Sequence, residues 1–159
     1  MSYLRRTSRE MRGVRVVVLM IAMLALGRLA MAAPQNDSNV RPPVTEGDVR
    51  IVQRAEQILD SPEHWNRADN RKCPVGATKF SLYCAMEKAT DEISGDFEHR
   101  GAAMQEVRFR VDAIAGNRGY QHRIMDYNND PKTTLEDIQK VLKAAEATIR
   151  QRLAEQQKK

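Results

Sequence analysis

The segment from Leu135 to Leu153 constrains this chain more than any other. Leu135, Ile138, Val141, Leu142, Ala145, Ile149 and Leu153 recur every three or four residues. At 100° per residue they fall within about 60° on either side of one line. A strand cannot keep that spacing on one face, so the segment is an amphipathic helix that must lie against apolar neighbours. Thr133, Thr134, Leu135 and Glu136 read as a capping box at its start. The polar residues after Leu153 are expected to fray, which makes 154–159 a disordered tail.

Three further segments repeat the pattern. From Thr45, with Asp48 three residues on, Ile51, Val52, Ala55, Ile58 and Leu59 share a face until Ser61 and Pro62 end the run. From near Thr78, Leu82, Ala85, Met86, Ala89 and Ile93 form a stripe that Ser94 and Gly95 stop, with Phe80 and Cys84 on the opposite side. Between Asp96 and Ala115, Ala103, Val107, Val111 and Ile114 make a main face, and Ala102, Phe109 and Ala113 a second. Two apolar faces on each of these helices put both at the centre of the packing. No stretch alternates as a half-buried strand does. The fold class is therefore all-α: a small bundle of four main helices over residues 45–153, with one long loop at 62–78. There is room for a short helix at 119–127, ahead of the turn Asn128-Asn129-Asp130-Pro131.

Residues 1–32 have the order of a cleavable secretory signal: a basic stretch to Arg15, an apolar run over 16–27, and Ala30-Met31-Ala32 as the cleavage site. A membrane anchor needs about 20 apolar residues, whereas Arg28 interrupts this run after about a dozen. Arg5-Arg6 lacks the apolar residue expected shortly after a twin-arginine pair, which favours ordinary export. Processing leaves no membrane span, a flexible leader at 33–44, and a periplasmic or secreted domain. The signal also holds the excess charge. Six of the 26 basic residues and one of the 21 acidic residues lie in 1–32, leaving 20 of each beyond it. A formally neutral domain lacks the basic surface that counterion release requires, so nucleic acid is not the expected partner.

Cys73 and Cys84 are the two cysteines, and an even count in an exported chain reads first as a disulfide. Cys84 points away from the Leu82 stripe, toward the side on which the loop carrying Trp65 can fold back. Closing that loop stabilises by about 2.8 kcal/mol on the chain-entropy model.

Little else carries chemistry. His64, His99 and His122 are not spaced to share a helix face, so no metal is expected, and no glycine-rich phosphate loop or nucleophile elbow points to a cofactor or to serine catalysis. Two histidines recur as His99-Arg100 and His122-Arg123. One account is structural, a buried network completed by Glu87, Glu106 or Asp126. The other is a small anion or carboxylate site built from His99, Arg100 and Arg123. The favoured function is a non-enzymatic binding module for a partner protein or small ligand. Its surface would lie around His99, Arg100, Tyr120, His122 and Arg123, with Trp65 on the pinned loop. Two alternatives compete: a hydrolase of envelope polymers with Glu87 and His99 as its acid–base pair, and a structural or oligomer-forming role visible as an apolar patch on the last helix.

A wider pattern joins these segments: His64-Trp65, then 80–89 (FSLYCAMEKA), then 102–107 (AAMQEV), then 127–134 (YNNDPKTT) leading into Glu136-Asp137-Ile138. Over roughly 49–147 the chain resembles bacterial domain-of-unknown-function family 6197. That resemblance implies a helical domain and assigns no activity. The export signal and Cys73 depart from the family's pattern.

Overall fold

A computed structural model describes residues 41–116 and 118–158. The signal segment and residues 33–40 of the leader lie outside the described residues.

Helix α1 (Glu46–Ile58) begins where the sequence places it. Thr45 accepts from the Asp48 amide, and the Asp48 carboxylate accepts from the Thr45 amide in return. Val49, Ile51, Val52, Ala55 and Ile58 are buried along it, with Leu59 at its C-cap. Asp48 also reaches across to accept from the Ala103 amide at 2.9 Å. One carboxylate thus satisfies the starts of two helices, including α3 (Ala102–Ala115), whose N-cap Gly101 has no side chain to offer.

Helix α2 (Leu82–Ser94) starts four residues later than the expected Thr78, because Phe80 is engaged elsewhere. Its amide donates to His64 O at 2.7 Å and its carbonyl accepts from the Asn66 amide at 2.9 Å, so Phe80 is tied to the loop. Ser81, itself buried, becomes the N-cap and accepts from the Cys84 amide. Gly95, at φ 79°, ends the helix in the left-handed conformation that glycine adopts without strain.

Five helices are present among the described residues, the four main ones and a short one where the sequence left room for it. The addition is α4 (Arg123–Asn129), short enough that periodicity barely marks it. The Asp126 carboxylate accepts from the Gln121 and His122 amides at 2.8 Å each and so fixes its entry. The last helix, α5 (Leu135–Gln156), is capped by Thr134 with Asp137, one residue beyond the expected Thr133–Glu136 pair. Thr133 is unavailable, because its amide closes the turn onto Asp130 O. Nor does α5 stop at Leu153. It continues to Gln156, whose side-chain amide accepts from the Val44 N–H at 3.0 Å and donates to the Val44 carbonyl at 2.9 Å.

Helix α1 packs on α2 and α5, and α3 packs on α5 and α4. The core runs from Val44 through the inward faces of all five helices to Ile149, with Tyr127 the largest fully buried side chain. Six consecutive α3 residues, Ala102 to Val107, are buried, which bears out its central position. Three expected core residues are exposed: Ile93 at 36%, Ile114 at 46%, and Ala113 of the second α3 face, of which Phe109 is half-buried. All three lie in the last turn of their helices, where fewer neighbours cover the side chains. Among the described residues there is no strand, and no helix is long and apolar enough to cross a membrane.

Candidate functional site

The long loop is held at three places. Cys73 and Cys84 form the disulfide. The Asn128 side chain, fully buried, accepts from the Trp65 indole N–H at 2.9 Å and from the Leu82 amide at 3.0 Å, and donates to Asn66 O at 3.0 Å. Its neighbour Asn129 donates to Asp69 O and accepts from the Asp69 amide. A single Asn-Asn pair on α4 therefore ties down both halves of the loop. Asp69 turns the chain tightly, accepting from the Arg71 amide at 2.7 Å, and Arg71 sits at φ 58°. A non-glycine residue in that conformation costs about 1–2 kcal/mol, and it persists only where its surroundings hold it.

That loop, the 97–101 turn, α3 and the start of α4 enclose a half-open cavity of about 210 Å³. Arg71, Arg100, Arg108, Arg123, His99, His122, Gln105 and Gln121 contribute its polar lining, and Tyr83, Ile124 and Met125 its apolar wall. Among the described residues no carboxylate lines it.

Arg108 is a half-buried cation of this lining. It donates to His99 O and Gln105 Oε1 through Nη1, at 2.8 Å each, and to His99 Nε2 through Nη2 at 3.0 Å. Every one of those acceptors is uncharged. Burial, with Arg123 and Arg100 nearby, pulls the Arg108 guanidinium down to about 10, and no carboxylate opposes the effect. His99 is likewise pushed below the usual imidazole range, first by burial and then by Arg108, Arg71 and Arg100. Accepting at Nε2 assigns its proton to Nδ1, which faces the Tyr83 hydroxyl at 3.4 Å. Tyr83 in turn hydrogen-bonds Glu87, whose carboxyl is raised by burial and by Asp91. Arg123 pairs with Asp112 at 3.2 Å and lies over the Phe109 ring.

The sequence-derived candidates divide at this point. His99, Arg100, His122 and Arg123 come together in the cavity lining, whereas Trp65 and Tyr120 do not. Trp65 is spent on Asn128, and the Tyr120 hydroxyl donates to Asp130. The other lining residues went unrecognised in the sequence, among them the polar Arg71, Gln105, Arg108 and Gln121. The i, i+3 spacing of Gln105 and Arg108 was the one available sign.

Set beside known families, residues 43–148 match the model of a family of unknown function, DUF6197. The chain belongs to that family. The DUF6197 segment contains every cavity-lining residue and the whole Trp65–Asn128 clasp. Arg41, Arg152 and Gln156 fall outside it. No curated protein and no solved structure matches the chain.

Proposed function

We propose that this domain is a binding module for a small anion, acting in an oxidising compartment outside the cytoplasm. One observation carries the reading. Arg108 is a half-buried cation that meets only neutral groups, in a cavity whose other charged lining residues are also basic. Desolvating a charge without a counter-charge is unfavourable, so such a site gains most by taking its counterion from solution. The disulfide supports the compartment, since such bridges persist where thiols are not kept reduced.

The hydrolase alternative finds less support. Glu87 and His99 do not converge on open space, because Tyr83 stands between them and Glu87 is not part of the cavity lining. An oligomer-forming role would need an apolar patch on α5. The exposed large apolar side chains among the described residues are Val75, Ile93 and Ile114, and none lies on that helix.

Calorimetric titration of the purified protein at low ionic strength, with inorganic phosphate and with benzoate, tests the proposal. Binding of either anion that is lost in Arg108→Gln, with the melting temperature of the variant nearly unchanged, is the expected result. Absence of heat and of thermal stabilisation with both anions would overturn it.

A further inference from the structure

Resting on the anion-binding reading, we infer that the cavity selects a dianionic tetrahedral headgroup, of the phosphate-monoester class, over a monoanion of the same shape. The first argument is charge. Arg123 already shares its charge with Asp112. Arg71 and Arg108 face no acid in the cavity lining, Asp69 beside Arg71 lying outside it, and they come from separate parts of the chain, the loop and α3. Both depress the protonation of His99, as does Arg100, so these guanidinium groups converge on one imidazole. A single negative charge in the cavity faces only one of these two cations, and it leaves the other without a charge opposite it there. Two charges compensate both.

The second argument is the count of donors and acceptors. A guanidinium has five N–H donors. Arg108 commits three of them, to His99 O, Gln105 Oε1 and His99 Nε2, and keeps Nε–H and one Nη2–H. Those two match a pair of ligand oxygens. A carboxylate has no oxygen left after that pairing, whereas a phosphate ester presents a third terminal oxygen to Arg71. The strained backbone of Arg71 fits this assignment. Its conformation is over-determined by the Asp69 turn on one side and the Cys73 bridge on the other, which fixes where its side chain departs.

The test uses isosteres. Phenyl phosphate and phenyl sulfate have the same shape and the same three terminal oxygens. At about pH 8, well above the second phosphate ionisation near pH 6, they differ by one charge. We expect phenyl phosphate to bind the purified protein at least about tenfold tighter than phenyl sulfate, a gap near 1.4 kcal/mol. Arg71→Gln should bring that ratio close to one while retaining weak binding of both, with an unchanged melting temperature as the control for folding. Equal affinities in the unaltered protein would overturn the dianion assignment and leave anion binding standing. If neither ester nor benzoate binds, the anion reading itself fails. Inorganic phosphate serves as a third titrant: parity with phenyl phosphate assigns the site to the free ion, and tighter binding of the ester assigns it to an organic phosphate. Either result retains the class.

Discussion

Arginines gather on two sides of helix α3, and the two gatherings differ in charge balance. On one side Glu106, fully buried, has Arg152 at 3.2 Å, Arg110 at 3.4 Å and Arg41 at 3.8 Å. On the other, two residues along, Arg108 meets only uncharged acceptors. The first cluster holds its own counter-charge, although Glu106 Oε1 and Arg110 Nε are buried there without a hydrogen-bond partner. Arg152 also donates to Pro42 O and Arg41 stacks on Phe109, so the cluster fastens the start of the domain to its last helix. The second is incomplete, and its open side faces a cavity. The arginines around the buried acid join elements, while those around the cavity have no acid in its lining. The family segment divides the same way, containing the whole cavity lining but neither Arg41 nor Arg152.

The sharpest way to break this contrast is to remove one partner from each side. Glu106→Gln leaves guanidinium groups crowded around a neutral amide, and it should cost about 3 kcal/mol or more in urea unfolding. Arg108→Gln removes a cation that nothing neutralises, and it should change stability by less than about 1 kcal/mol. Comparable losses would mean that both clusters are structural. Next in size is the bridge. Reduction of Cys73–Cys84 should destabilise the domain by about 2.8 kcal/mol. Hydrogen exchange should then rise first at the Asp69 and Arg71 amides and leave those of α5 protected. Uniform loosening would show that the bridge serves the whole core rather than the cavity side.

The smallest effect concerns an exposed acid with its partners in place. Arg54 and Lys88 hold the Glu92 carboxyl down to about 2. A carboxyl held low in the folded state stabilises above its usual range, and that contribution is lost as the pH falls toward 2. Urea midpoints at about pH 5 and about pH 2.5 should therefore differ less in Glu92→Gln than in the unaltered protein, by a few tenths of a kcal/mol at this exposed position. An identical acid slope in both would exclude Glu92 as a contributor.

Much of the helical framework was legible because burial repeats at the helical period. The α5 stripe, the α1 capping box and the disulfide all follow from spacing and compartment. What periodicity does not register is backbone engaged by side chains from afar. The start of α2 moved from Thr78 to Leu82 because His64 and Asn66 hold Phe80, an interaction between residues about fifteen apart. Asn128 looked like part of a turn, yet it is the buried centre that joins Trp65, Asn66 and Leu82. The cavity was half legible. His99, Arg100, His122 and Arg123 stood out as repeated His-Arg pairs, while Arg108 resembled any solvated arginine on a helix. Its distinction lies in lacking an acid, and an absence in space leaves no mark in the order of residues.

The Gln156 clasp on Val44 bears on when the molecule can close. A single amide side chain, 112 positions further along, satisfies both backbone groups of Val44, the first buried residue among those described. A polypeptide threaded out amino end first exposes Val44 early and cannot shield it until the final turn of α5 has emerged. The leading helix, which packs on α5, waits with it. Closure is thus reserved for a chain that includes Gln156, and one lacking that residue should linger open and remain accessible to proteases even with every cavity residue intact.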